Sequence, residues 1–181
     1  MKSREVLVRA IEVVTFIFAA FSGFLRNIAP PGKATEGFAI GIASFLTLCI
    51  LLLLSTRVKK KSRTAERRLW VRVAGVLAAI ALAAGLLYYR IRGELTFSYP
   101  PDNPQAEYIA GTQYTSGAAR FAVRGLSNDQ IVAKFGGLEN RQLVWSPAST
   151  ERASMILVSS YLLFVLSLAG ALFSLAELNT G

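Results

Sequence analysis

The stretch RVKKKSRTAERRLWVR, Arg57–Arg72, decides how this chain is interpreted. It contains eight basic residues and one acidic residue, Glu66, and long apolar runs flank it on both sides. Short loops rich in Lys and Arg are retained on the cytoplasmic side of membrane proteins. The stretch therefore predicts a cytoplasmic loop between two transmembrane helices.

The composition is that of a membrane protein. Hydrophobic residues make up 53% of the 181 and charged residues only 17%, with a mean hydropathy of +0.45, which is too apolar for an ordinary soluble domain. The net charge of +9 is concentrated in the basic stretch, so it indicates contact with anionic lipid headgroups, and no specific nucleic-acid target is inferred. The alternative is an anionic, nucleotide-type regulator. Either ligand would contact the basic side chains Arg57, Lys59, Lys60, Lys61, Arg63, Arg67 and Arg68.

Four apolar segments predict an all-α membrane protein. A helix needs about 20 residues to cross the bilayer, and the predicted spans are about 6–25, 37–56 and 70–89, followed by a long fourth helix at 147–178. The basic loop occupies 57–69, and a small α+β extra-membrane domain occupies 90–146. Because the N-terminal segment is also basic, the N- and C-termini are both predicted on the cytoplasmic side.

Two charges, Arg9 and Glu12, interrupt the first segment. They are three residues apart, so they share a helix face and can pair, and Arg9 lies close enough to the segment end to reach the interface. In an oligomer the same two residues would form a charged ring that sets ion selectivity. A second interpretation of the whole segment is an amphipathic helix that lies on the membrane.

Small residues recur at helical spacing in two spans. In the second span, Gly37 and Gly41 form a GxxxG pair with Ser44 on the same face, a pattern typical of close helix packing. In the fourth span, the hydroxyls of Ser160, Ser167 and Ser174 recur every seven residues, with Gly170 on the same side. This stripe predicts either helix packing or the polar wall of a pore formed by several copies.

Aromatic residues stand near the predicted ends of the spans. Trp70 begins the third span, Tyr88 and Tyr89 end it, and Trp145 precedes the fourth. Trp and Tyr are enriched at both membrane–water interfaces. These four residues are therefore predicted to be interface anchors.

The extra-membrane segment carries local signals for strands and short helices. Residues 93–99 predict a strand that ends at two prolines, and 108–115 predict a second extended piece or the lead into a helix. A short helix is predicted at 116–124, and Ser127 is a predicted N-cap for a helix over 128–135. Ser146 followed by Pro147 predicts the start of the last helix.

Motifs of enzymes are absent from the sequence. It contains no histidine, which is the commonest general base, and no P-loop, HExxH or CxxC motif. Its single cysteine, Cys49, lies in an apolar run. The chain is therefore expected to be a non-enzyme with no cofactor and no metal site.

Three short motifs carry a resemblance to a known class. They are Tyr108-x-x-Gly-Thr-x-Tyr-Thr115, Phe135-Gly-Gly137 and Val144-Trp-Ser-x-x-Ser149, ahead of the last span. Here the chain resembles small multi-pass membrane modules of bacterial conflict (anti-phage) systems. The resemblance implies an inner-membrane effector that is silent until infection and then permeabilises or depolarises the membrane.

Two functions follow as hypotheses. The first is a homo-oligomeric channel or pore-type effector, which the serine stripe and the Arg9–Glu12 pair favour. The second is a non-conducting scaffold or sensor whose extra-membrane domain binds a partner. Regulation by an anionic ligand at the basic loop is a further alternative.

Overall fold

The computed structural model describes Val8, Thr15, Ala19 and residues 22–57, 63–100 and 106–179. Helices dominate these residues, and they form two compact units. The helical unit comprises the described residues of Met1–Ala29, Gly37–Leu87 and Ser160–Gly181, and the mixed unit comprises Pro30–Glu36 and those of Tyr88–Ser159.

Two helices precede the basic stretch in the described part of the chain. The first, α1, spans Ser22–Ile28, and the second, α2, spans Lys33–Arg57. Gly32 separates them with a φ of +100°, a conformation that glycine adopts at little cost. The predicted turn after the first span is therefore short, because helical structure resumes at once beyond Gly32.

The third helix, α3, spans Arg63–Leu95 and is longer than the predicted span 70–89 on both sides. Its first turns contain part of the basic stretch, because Arg, Ala, Glu and Leu are strong helix formers. Beyond Tyr89 no proline interrupts the chain, and Arg90 pairs with Glu94 one turn later at 3.0 Å. Such i,i+4 pairs extend helices on exposed surfaces.

The last helix, α6, spans Pro147–Asn179 and begins at the predicted residue. Its buried side chains include Leu157, Tyr161 and Val165. Within the helical unit, the Tyr161 hydroxyl donates a hydrogen bond to the Leu25 carbonyl at 3.2 Å. This bond satisfies a phenol that is fully buried, as a buried polar group requires.

The mixed unit contains a two-stranded antiparallel sheet and short helices. Strand β1 (Thr96–Ser98) pairs with β2 (Glu107–Ile109), and Phe97 lies opposite Tyr108. Helices α4 (Ser116–Val123) and α5 (Asn128–Lys134) follow, then a 3₁₀ helix at Leu138–Leu143. Both predicted short helices are confirmed, while the strand predicted at 93–99 is shorter because α3 extends to Leu95.

Two helices of the described residues are long and apolar enough to cross a membrane. They are Arg67–Leu95 within α3 and Pro147–Ala176 within α6, and Ala34–Ile50 in α2 forms a shorter apolar helix. These helices match two of the four predicted spans by length and composition. Most of the predicted first span, including Arg9 and Glu12, lies outside the described residues.

Candidate functional site

Trp145 is the centre of the mixed unit's core. It is 2% exposed and lies beside Phe97, with ring centroids 5.3 Å apart. Tyr114 stacks on the same indole at 5.8 Å. The hydrophobic core around the indole consists of the buried side chains Phe97, Ala110, Ala118, Ile131, Val132 and Val144. Trp145 is therefore a core residue in the structure, which differs from the interface anchor that its position before a span predicted.

Gly111 makes room for this indole. A Cβ built at Gly111 would lie 2.6 Å from Cβ and Cγ of Trp145, and at the same distance from Oγ of Ser149. Carbon atoms in contact are ordinarily about 3.5–4.0 Å apart. Only glycine fits here without a shift of the chain.

Ser149 joins the segment after Gly111 to the first turn of α6. Its hydroxyl accepts a hydrogen bond from the Gln113 amide at 2.8 Å and donates one to the Gln113 carbonyl at 3.1 Å. The amide of Thr112 donates to the Ser149 carbonyl at 3.3 Å. Since Ser149 is 8% exposed, these bonds satisfy a polar group that burial would otherwise penalise.

Thr115 and Tyr114, which follow Gln113, also hydrogen-bond to more distant parts of the mixed unit. Thr115 is the N-cap of α4, and its amide donates to the Val144 carbonyl at 2.9 Å. The Tyr114 hydroxyl donates to Oδ1 of Asn128 at 2.6 Å. Burial raises the pKa of Tyr114 above its ordinary value of 10.0, because a low-dielectric environment disfavours the phenolate.

The glycine pair after α5 completes the motifs. Gly136 and Gly137 have φ angles of +87° and +95°, which reverse the chain at the end of a helix. A Cβ on Gly137 would lie 3.4 Å from the Tyr99 hydroxyl. The residues that carry the resemblance therefore build the core of the mixed unit and are not grouped as a reactive site.

A cleft of about 630 Å³ opens in the mixed unit beside this core. Its lining combines apolar surface with charges of both signs. The apolar and aromatic part includes Pro31, Ala34, Tyr108, Ile109, Trp145 and Pro147, and the charged and polar part includes Glu107, Arg141, Gln142, Thr150, Glu151 and Ser154. A concave site of this size with a few convergent polar groups is the usual form of a ligand site.

Some of the lining groups are held in place and others are unpaired. Glu107 accepts a hydrogen bond from Nη2 of Arg92 at 2.6 Å, and both side chains are partly buried. Arg141 and Glu151 are exposed and form no ion pair within the described residues. The indole N–H of Trp145 is buried, and no described group accepts its hydrogen bond. The cleft therefore offers a positioned carboxylate together with charges that are open to a ligand.

The predicted serine stripe is only partly open to solvent. Ser160 is half-buried, while Ser167 and Ser174 are 5% and 0% exposed. Oγ of Ser167 donates to the Leu163 carbonyl at 2.6 Å, and Oγ of Ser174 donates to the Gly170 carbonyl at 2.8 Å. Hydroxyls that bond back to their own helix and lie inside one chain favour helix packing over a pore wall.

Glycines in the helical unit allow α3 and α6 to approach. A Cβ on Gly170 would lie 2.9 Å from Cδ1 of Leu77, and one on Gly85 would lie 3.0 Å from Cε2 of Phe164. The packing prediction for Gly170 agrees with this contact. Gly85 was missed, because a single glycine in an alanine-rich helix carries no periodic signal.

The GxxxG face of α2 was predicted to pack against another helix, but in the structure it is exposed. Gly37 and Gly41 are exposed, and among the described residues no atom of another element lies within 4 Å of a Cβ built on either. Oγ of Ser44 donates to the Ile40 carbonyl at 2.9 Å. The buried stripe of this helix is instead Ala39, Ala43 and Thr47.

The other predicted residues are scattered. Trp70 and Tyr88 are each 4% exposed, and Trp70 packs edge-on against Phe173 at 5.9 Å. Tyr89 is 80% exposed, and its role as an interface anchor stays a prediction. In the basic stretch, Arg57 ends α2, Arg63 begins α3, and the side chains of Arg67 and Arg68 are exposed. Lys59, Lys60 and Lys61 lie outside the described residues.

The described residues hold no group of three or more His, Cys, Asp or Glu side chains arranged for a metal ion. Comparison with known proteins adds no relative. No protein-family model, curated protein or solved structure matches the chain.

Proposed function

We propose that this protein is a non-conducting membrane sensor or scaffold that binds a partner segment in the cleft of the mixed unit. The observation that carries the proposal is the cleft of about 630 Å³ beside a folded core. Its apolar wall and its charges of both signs suit an amphipathic ligand such as a peptide segment. The protein has no proposed catalytic role.

The membrane arrangement in this proposal is a bacterial inner-membrane protein with four transmembrane helices. The basic stretch is retained in the cytoplasm, so the N- and C-termini are cytoplasmic and the mixed unit faces outward. Labelling of Asn103→Cys against Ser62→Cys in intact cells, in a Cys49→Ser background, tests this topology. A membrane-impermeant maleimide is expected to label the first variant only, and labelling of Ser62→Cys alone would reverse the assignment.

Photo-crosslinking in cells tests the cleft directly. A benzophenone amino acid is placed at Gln142 or Glu151, two exposed positions of the lining, and at Glu139 as an exposed control outside it. The proposal predicts a discrete adduct from the two cleft positions and none from Glu139. Ser154→Trp fills the cleft and is expected to remove the adduct without lowering the amount of protein.

A homo-oligomeric channel is the second candidate, and the exposed glycine face of α2 favours it. Small residues at Gly37 and Gly41 leave a surface on which a second copy can pack closely. The burial of Ser167 and Ser174 removes one feature that favoured a pore. Ion flux from liposomes at high protein density separates the two candidates, since a sensor leaves the vesicles sealed and a channel empties them.

The infection-linked role stays a proposal from the resemblance to conflict-system membrane modules. If the protein acts in defence, the ligand of the cleft signals infection, and an anionic regulator that binds Arg67 and Arg68 supplies a second signal. Direct binding of labelled nucleotides to the purified protein tests that input. Binding through phosphate charge weakens steeply with salt, so affinity that is independent of salt would argue against it.

A further inference from the structure

Two cations share one aromatic ring at the corner of the mixed unit formed by α4 and α5. The guanidinium carbon of Arg120 lies 4.9 Å from the ring centroid of Phe121, and Nζ of Lys134 lies 5.7 Å from the same centroid. Phe135 packs edge-on against Phe121 at 5.9 Å. Both cations therefore lie within cation–π distance of the same ring.

The described residues supply no acidic partner to this pair. Arg124 caps α4 one turn after Arg120, which places a third cation on the same side. In the described part of the chain, none of the three forms an ion pair, although Asp129 and Glu139 lie on the neighbouring helices. Three cations at the ends of two neighbouring helices, with no counter-ion among the described residues, make this surface attractive to an anion.

An exposed apolar side chain, Val123, directly precedes Arg124 at the end of α4. Val123 is 88% exposed, the highest fraction among the exposed large hydrophobic residues. It gains nothing from a polyanion in water, but it loses unfavourable hydration when it enters a lipid interface. Cations that flank an exposed apolar residue are typical of segments that lie on anionic membranes.

We infer that this cationic corner (Arg120, Phe121, Val123, Arg124 and Lys134) docks on anionic phospholipid headgroups. The corner shares no residue with the lining of the cleft, so the inference is independent of the proposed function. Both chain ends of the mixed unit continue within α3 and α6. Two helices long enough to span therefore tether the unit, which keeps its basic surface at high local concentration near headgroups.

A fluorescent probe at residue 123 tests the docking in the full chain. Val123→Cys in a Cys49→Ser background is labelled with an environment-sensitive dye, and the protein is placed in nanodiscs of phosphatidylcholine with or without phosphatidylglycerol. Basic residues near an anionic membrane surface are attracted to it, so we expect acrylamide quenching of the dye to fall at least about threefold when phosphatidylglycerol is present. High salt is expected to reverse the protection.

Two charge-matched variants separate the corner from general electrostatics. Arg120→Gln with Arg124→Gln is expected to abolish the lipid-dependent protection. Arg90→Gln with Arg152→Gln removes the same charge from exposed positions of the mixed unit outside the cleft and is expected to keep the protection. Equal quenching in the two lipids, or equal loss in both variants, overturns the inference.

A third measurement distinguishes binding to a lipid surface from binding to a soluble polyanion. Polyphosphate is added to nanodiscs of phosphatidylcholine alone. Protection as strong as that given by phosphatidylglycerol would show a general polyanion site and overturn the lipid assignment. No protection by polyphosphate supports docking on headgroups, because a soluble polyanion offers no apolar layer to the dye at residue 123.

Discussion

Gly111→Ala is expected to unfold the mixed unit at a much lower temperature than the unsubstituted chain. The new Cβ would lie 2.6 Å from Trp145 and Ser149 atoms. Contacts settle at about 3.5–4.0 Å, so the segment must move by roughly 1 Å. The indole is wedged between Phe97 and Tyr114, which leaves the loop as the part that gives way.

The magnitude follows from two terms. Overpacking a core costs about 1–3 kcal/mol. Movement of the loop also weakens the two hydrogen bonds between Ser149 and Gln113, each worth about 0.5–1.5 kcal/mol. A loss of about 3 kcal/mol shifts the midpoint of a domain of this size by on the order of 15 °C.

Trp145 fluorescence follows this transition in detergent. A Trp70→Phe background leaves Trp145 as the only tryptophan, so the signal reports the mixed unit alone. Gly117→Ala is the matched control, since its Cβ would meet only Phe135 at 3.9 Å and alanine favours a helix over glycine by about 0.5–1 kcal/mol. If Gly111→Ala and Gly117→Ala have the same melting midpoint, the close approach of Gly111 to Trp145 does not stabilise the mixed unit.

Three further changes test other contacts. Ser149→Ala removes the acceptor of the partly buried hydrogen bond from the Gln113 amide, at a cost of about 1 kcal/mol, and an unchanged Trp145 melt would show that this bond does not stabilise the mixed unit. Gly170→Val places a Cβ 2.9 Å from Cδ1 of Leu77, and a circular-dichroism melt should show a loss of about 1–3 kcal/mol; retention of the midpoint would mean that Leu77 moves freely. Because burial raises the pKa of Tyr114 above 10.0, its contribution to stability is complete below that pH and is lost as the pH rises through the folded-state pKa. Tyr114→Phe should flatten this alkaline loss in melts across the pH range, and an identical loss in both proteins would exclude Tyr114 as its source.

Local signals in the sequence predicted the short helices of the mixed unit well. Ser127 is the N-cap of α5 as predicted, and its amide donates a hydrogen bond to Oε1 of Gln130 at 3.2 Å. Pro147 begins α6, as its preference for the first helical position indicates. Capping is decided by residues within one turn, so a single sequence contains the whole signal.

Helix length was predicted less well because it depends on what stops a helix. The third span was assigned by hydropathy, yet α3 continues through charged residues to Leu95. The exposed Arg90–Glu94 pair lets the helix leave the apolar segment without a break. Hydropathy marks where a helix can enter a membrane and carries little information on where helical hydrogen bonding ends.

The core and the cleft depend on contacts between residues distant in sequence. Trp145 lies next to a span, so sequence position alone favours an interface role. The structure buries it because Gly111 leaves space and Phe97 supplies a wall. No local pattern links Gly111, Phe97 and Trp145, and the cleft that Trp145 lines was therefore not foreseeable from the sequence.

The same limit explains the small-residue faces. Both Gly37-x-x-x-Gly41 and the serines of α6 match the spacing of packed helices. Contacts choose between such faces, and in α2 they bury Ala39, Ala43 and Thr47 while the glycines stay exposed. Spacing identifies candidate faces, while the neighbouring helices decide which one is buried.

Crosslinking from Gln142 in living cells tests the central claim most directly, because it asks whether the cleft has an occupant in the assembled protein. The account predicts a discrete adduct at Gln142, its loss in Ser154→Trp, and no adduct from the exposed control position Glu139. The same adduct pattern from Gln142 and Glu139, or an adduct that persists when the cleft is filled, would contradict the claim that the cleft binds a partner segment.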